Sequence, residues 1–325
     1  MSSKSLKGDP TDWLLEPENP SVRYLTLRDI LGRSENDTEL VEAKEDIRTD
    51  SRVLRIFSKQ KPEGYWEDAR KPYNPKYKGT YWQVMILSQL GLDKSDERVR
   101  KACEFIFQFQ LDEGGFSTFE KPWSGEQIRE YEMSCLTGNV AASLIRLGYG
   151  DDERVMKALE WLVDVQNRDG GWLCPYWKPH IKDKHSCFMG TIAPLDAFSE
   201  MPKDRMSLEM ESALVNGVEF LLMHRLFMAD HHKFKIINKS WLNLSFPIFS
   251  YDILRGLSVV TKLGYVKDDR IKDAFMVLLN KQGSDGKWIL ESSPIGRMQA
   301  NLEQIGKQSK WITLNALKVI KRILL

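Results

Sequence analysis

Apolar residues recur along this chain in two alternating kinds of segment. One kind is charged on one face and apolar on the other: VLRIFSKQ, DERVRKACEFIFQFQ, DERVMKALEWLVDVQ and DDRIKDAFMVLLNKQ, with spacings such as Val155, Ala158, Leu159 and Leu162. That period predicts helices with one wet face. The other kind is apolar around most of its circumference: VRYLTLRDIL from Val22, TYWQVMILSQLG from Thr80, SCLTGNVAASLIRLG from Ser134, SCFMGTIAPLDAFSE from Ser186, FPIFSYDILRGLSVVTKLG from Phe246 and SKWITLNALKVIKRILL from Ser309. Helices of that kind are buried ones. The pattern therefore predicts six inner helices alternating with about five or six outer ones.

The punctuation between them repeats as well. Gln60 to Trp66 (QKPEGYW), Gln110 to Phe116 (QLDEGGF), Gln166 to Trp172 (QNRDGGW) and Gln282 to Trp288 (QGSDGKW) fit Q-x-x-[DE]-G-x-[WF], with intervals of 50, 56 and 116 residues, the last being two periods with one copy degenerate or missing. Such self-similarity marks a repeat architecture. Gly at the fifth position permits a tight turn, Gln can bond open backbone groups at a helix end, and the aromatic buries area between units. Leu-Gly at Gly91, Gly148 and Gly264 suits a left-handed helix stop. Asp93 and Asp96, Asp151 and Asp152, and Asp268 and Asp269 open the next outer helix. Short links make successive helices antiparallel, so the inner helices all point one way. The expected fold is an all-α α/α toroid, a single domain over residues 1–325 with 1–20 as an N-terminal extension.

Composition narrows the function classes. The 325 residues are 42% hydrophobic and 29% charged, with 47 basic against 46 acidic side chains and a formal net charge of +1, so no nucleic-acid footprint is expected. The sequence contains no run long and apolar enough to span a bilayer, and MSSKSLKGDPTDW lacks the apolar core of a signal peptide, so the expected location is cytoplasmic. Four cysteines are too few for a disulfide scaffold.

The four Q-x3-G-x-[WF] copies resemble the QW motifs of squalene and hopene cyclases, and the paired-helix period is similar to the α/α toroid of protein prenyltransferase β subunits. The similarity runs from Val22 to the C-terminus. It implies the fold and an apolar, isoprenoid-like small-molecule partner. Departures limit what it implies about chemistry. The DxDD motif with which class II terpene cyclases protonate their substrate is absent, Asp196 in APLDAFSE standing alone, and no D-x-C pair marks a prenyltransferase zinc site.

Candidate chemistry falls near the starts of the inner helices. Cys135 and Cys187 open the third and fourth, Cys174 lies in the loop between, and His185 and His180 precede Cys187. Cys135, Cys174, Cys187 and His185 make a ligand set for zinc. An iron–sulfur cluster, a reactive thiol and three inert buried thiols are the alternatives. Cys103 reads as a small core residue. Helix N-termini around one opening favour an anion. Arg23, Tyr24, Tyr77, Lys78, Thr80, Thr137 and Thr191 fall there too, and Tyr81, Trp82, Asn139, Trp177, Lys310 and Trp311 are the candidate substrate contacts. Tyr81 and Trp82 either offer cation–π contact or fill the core. Tyr251 and Asp252 are the catalytic candidates, Asp252 being either a buried general acid or a partner of Arg255 at i+3. His231 and His232 are expected to be exposed, in a segment from Met228 to Trp241 that covers the mouth as a lid. A carbohydrate-active α/α barrel is a second reading, disfavoured by few acidic residues at inner helix starts, and a non-enzymatic binding or scaffold protein is the third.

Overall fold

The computed structural model describes residues 6–119, 133–173, 184–294 and 296–324. In chain order the helices are α1 (Thr11–Leu14), α2 (Pro20–Leu25) continued by a π-helical turn (Thr26–Ile30), α3 (Thr38–Thr49), α4 (Ser51–Phe57), α5 (Thr80–Gln89), α6 (Glu97–Phe107), α7 (Ser134–Leu144), α8 (Glu153–Asp164), α9 (Phe188–Glu200) and α10 (Leu208–Met223). A short antiparallel pair, β1 (Met228–Ala229) and β2 (Lys235–Ile236), precedes α11 (Ile253–Lys262), α12 (Lys272–Asn280) and α13 (Lys310–Leu324). The chain forms two compact units, residues 56–221 and residues 1–55 with 222–325.

Within the first of these, the inner/outer pairing of an α/α toroid is plain. The inner helices α5 and α7 are buried on every side, from Thr80 to Ser88 and from Ser134 to Leu144, and α9 is buried over most of its length. The outer helices α6 and α8 bury one stripe each, Val155, Ala158, Leu159 and Leu162 among it. Gly138 is where α7 meets α9 most closely: a Cβ there would lie 2.4 Å from the backbone nitrogen of Pro194. Pro194 has no N–H to give its own helix, so the two backbones can touch without competing for one.

The glutamine of the repeated motif bonds alike in the first three copies. The carboxamide of Gln60 donates to Gly64 O at 3.2 Å and to Arg98 O at 2.9 Å, that of Gln110 to Gly114 O (2.9 Å) and Arg154 O (2.7 Å), and that of Gln166 to Gly170 O and Ala213 O, both 2.7 Å. Each Gln thus ties its own turn to the next outer helix. Gly64, Gly114 and Gly170 have φ of +100°, +114° and +90°, and a Cβ on them would come within 2.3 to 2.6 Å of Lys101 O, Lys157 O and Asn216 O. Glycine is required twice over, by the left-handed backbone and by the approach. The aromatic closes the unit inward: Trp66, Phe116 and Trp172 donate their backbone N–H to Thr80, Thr137 and Thr191 Oγ1 at 3.0, 2.9 and 3.0 Å. The indoles of Trp66 and Trp172 also donate to Ile56 O and Leu162 O, a bond that Phe116 cannot make.

The outer helices are capped by a second repeat, Asp-x-Arg. Asp50, Asp96, Asp152 and Asp268 each accept from the backbone and the guanidinium of the Arg two residues on. Asp96, Asp152 and Asp268 are thus the caps among the predicted acidic pairs, and Asp50 joins them. The guanidinium of Arg98 also stacks 4.0 Å over Phe57 and that of Arg154 3.6 Å over Phe107, adding cation–π contact between successive units.

The second unit holds the last motif. Trp288 repeats the bonding, to Thr313 Oγ1 at 3.0 Å and through its indole to Leu278 O at 2.8 Å. Where the earlier copies meet the next outer helix, this one meets the N-terminal segment: Lys7 N donates to Gln282 Oε1 at 3.1 Å, and Gly8 lies against Gly286. The β1–β2 hairpin stands in the interval between the third and last copies, with residues 231–240 exposed. Phe246 to Asp252, expected in an inner helix, precedes α11. Pro247 supplies no N–H and Asp252 is the N-cap, so the helix begins at Ile253. Helix α3, which the pattern did not mark, buries only Leu40, Ala43 and Ile47 and is capped by Asp37. Gly91, Gly148 and Gly264 end their helices at φ near +90° as expected. Among the described residues no helix is long and apolar enough to cross a membrane.

Candidate functional site

The start of α5 gathers chemistry that packing alone does not use up. The loop before it folds back so that Tyr73 and Tyr77 bracket Trp82, with ring centroids 5.1 and 4.7 Å away, and the Trp82 indole donates to Tyr73 O at 2.8 Å. Tyr77 sits at φ +70°, a left-handed conformation that a bulky residue adopts only where its surroundings hold it. The ammonium of Lys76 stands 5.2 Å from the Tyr77 ring and 5.7 Å from that of Trp82, a cation over two aromatic faces.

Beside them is Gln83, fully buried. Its Nε2 donates to Tyr77 O at 3.1 Å, while its Oε1 has no hydrogen-bond partner among the described residues. Leaving a buried acceptor unmade costs about 1–3 kcal/mol. The polar neighbours are spent differently: Thr80 holds the motif, and Ser88 Oγ donates to Met85 O at 2.8 Å within the helix.

The structure places the other predicted residues as follows. Tyr81 donates its hydroxyl to Ser117 O at 2.9 Å and packs edge-on against Phe109 and Phe116; burial holds its phenol well above the usual range. Asn139 donates to Cys135 O at 2.6 Å, four residues back in α7. Thr80, Thr137 and Thr191 are the inner ends of the motif bonds. In the other unit, Lys310 pairs with Glu16 at 2.7 Å and lies over Trp13, and Trp311 packs edge-on against Phe246 at 5.1 Å. Trp177, Cys174 and His180 lie outside the described residues.

Asp252 is buried and caps α11. It accepts from Arg255 N at 2.8 Å, Ser245 N at 2.8 Å and Ser245 Oγ at 2.6 Å, while the Arg255 guanidinium donates to Phe249 O at 2.6 Å. Arg255 thus reaches Asp252 through its backbone N–H, and its charge also acts to lower the carboxyl. Burial raises the carboxyl above its ordinary value, opposed by those hydrogen bonds. Tyr251 donates to Leu226 O at 2.5 Å. Asp196 does not stand alone: with Glu200 it flanks Arg146, whose Nη2 approaches Glu200 at 2.8 Å and bonds Asp196. Of the cysteines, Cys103 is buried, its thiol pushed up chiefly by desolvation, and Cys135 is buried in the first turn of α7. The Cys187 sulfur accepts from Gly190 N at 3.1 Å as the cap of α9, and His185 is exposed. Among the described residues no group of three or more His, Cys, Asp or Glu side chains converges as a metal site. The zinc and iron–sulfur expectations find no support among the described residues.

Gln83 went unmarked in the sequence. The available signal was one long polar side chain in the otherwise apolar run TYWQVMIL.

Residues 26–180 match the family model of the squalene-hopene cyclase C-terminal domain, so the likeness to terpenoid cyclases read from the QW motifs holds over that segment. The chain is 21% identical over 238 residues to the terpene cyclase/mutase atnI of Arthrinium sp, covering 65% of this chain and 32% of that protein. It spans about a third of the length of this curated relative. A type II terpene cyclase from Scytonema in complex with geranylgeranyl dihydroxybenzoate matches with TM-score 0.47 and 14% identity, over 97% of this chain and 98% of the other. The GH76 α-mannanase BT2949 of Bacteroides thetaiotaomicron matches with TM-score 0.44 and 10% identity, over 94% and 85%. Both scores lie below 0.5, and nothing about substrate follows from either.

Proposed function

We propose that the protein binds an apolar, isoprenoid-like small molecule with an anionic end, at the start of α5. The observation that carries the reading is the Tyr73–Trp82–Tyr77 cluster with Lys76 over its faces. Aromatic faces suit polyene chains, and a lysine beside them suits a diphosphate or carboxylate. The family match over residues 26–180 supports the same class of ligand. The sequence lacks the DxDD acid, so the reading is one of binding and leaves the cyclisation step out.

Calorimetric titration with farnesyl diphosphate tests it. Saturable binding is expected, weakened about tenfold, or ~1.4 kcal/mol, by Trp82→Leu. Lys76→Ala is expected to weaken the diphosphate more than farnesol. Wild-type protein that shows no saturable heat with either compound would refute the reading.

A further inference from the structure

The unpartnered oxygen of Gln83 says what the ligand must carry. The side chain is held by its nitrogen, which donates to Tyr77 O at 3.1 Å. Exchanging the two amide ends would set an oxygen against that carbonyl, acceptor facing acceptor, so the atom left over is the acceptor. It lies on a helix whose residues from Thr80 to Ser88 are all buried, where bulk water does not reach it. Packing does not explain a glutamine here, because methionine would fill similar volume without an orphaned polar atom. Two neighbouring donors are already engaged: the Trp82 indole donates to Tyr73 O and the Tyr81 hydroxyl to Ser117 O.

We infer that Gln83 Oε1 accepts a hydrogen bond from a hydroxyl of the bound molecule, so that the isoprenoid ligand carries a hydroxyl group in addition to its anionic end. This deepens the reading above and rests on it. A hydroxyl in that position completes the carboxamide, which then donates to Tyr77 O and accepts from the ligand. An ether of the same shape leaves the acceptor empty and brings a second acceptor to it.

Farnesol and farnesyl methyl ether separate the possibilities. In wild-type protein the alcohol is expected to bind about tenfold more tightly than the ether, and in Gln83→Met the two are expected to bind alike. The unfolding temperature of the ligand-free variant reports whether it folds; if it does not, the comparison in wild-type protein still decides. Equal binding of alcohol and ether by the wild type, as a water trapped on Gln83 would give, overturns the inference and leaves the binding reading standing. Discrimination that survives in a folded Gln83→Met variant also overturns it. Failure of both compounds and of farnesyl diphosphate to bind removes the reading and the inference together.

Discussion

Replacing Thr191 by valine removes one atom's chemistry and little else. Thr191 is fully buried, and its Oγ1 accepts the Trp172 N–H at 3.0 Å. Valine keeps the branched shape, so the change opens no cavity of consequence, but it leaves the Trp172 N–H buried without an acceptor. An unmade buried bond costs about 1–3 kcal/mol. Trp172 has no exposed surface and its indole is anchored on Leu162 O at 2.7 Å, so the chain cannot turn the N–H to solvent without breaking that second bond. The upper half of the range is therefore expected, about 2–3 kcal/mol. For a unit of this size, each kcal/mol moves the unfolding temperature by about 2–4 °C. Thermal unfolding followed by tryptophan fluorescence should show a drop of roughly 4–12 °C for Thr191→Val. Thr191→Ser keeps the hydroxyl and should lose less than half as much. A Thr191→Val variant that melts with the wild type, or a Ser variant that falls as far as Val, would refute the claim that this hydroxyl ties the motif to the inner helix.

Two further outcomes are expected. Arg146→Met leaves Asp196 and Glu200 facing one another without their cation in a partly buried cluster, and losing these charged hydrogen bonds costs about 1.5–3 kcal/mol; a loss below 1 kcal/mol in urea unfolding would contradict the assignment. Burial raises the folded-state pKa of Asp252 above its unfolded value, so the native state holds the proton to higher pH. Stability therefore falls as pH rises from the ordinary carboxylate range through the raised value. Asp252→Asn keeps a capping oxygen and should remove that slope in pH-dependent unfolding, whereas an unchanged slope would place its origin elsewhere.

The architecture was legible because its signals recur at fixed offsets. Gln, Gly and the aromatic of each motif stand at constant spacing, and each proves to make the same bond in each copy. Caps were partly legible: each Asp pair contained the true cap, but Asp50 escaped because no Leu-Gly stop precedes it. Helix α3 escaped because its apolar stripe is three residues among charged ones. The break at Phe246 to Asp252 was hidden by continuous hydrophobicity, which does not distinguish a buried loop from a buried helix. Site residues were harder to read. Thr80, Thr137 and Thr191 looked like lining and serve the scaffold, since a threonine reads the same whether its hydroxyl faces a ligand or a backbone N–H. Gln83 was hidden for the converse reason: its meaning lies in a bond it does not make, which only coordinates reveal.

The most direct measurement is a crystal structure of the protein grown with farnesol. The account predicts the isoprenoid chain against Trp82 and Tyr77, with its hydroxyl within hydrogen-bond distance of Gln83 Oε1. Farnesol bound away from these residues, or a Gln83 oxygen satisfied by protein or water while the ligand sits elsewhere, would contradict it.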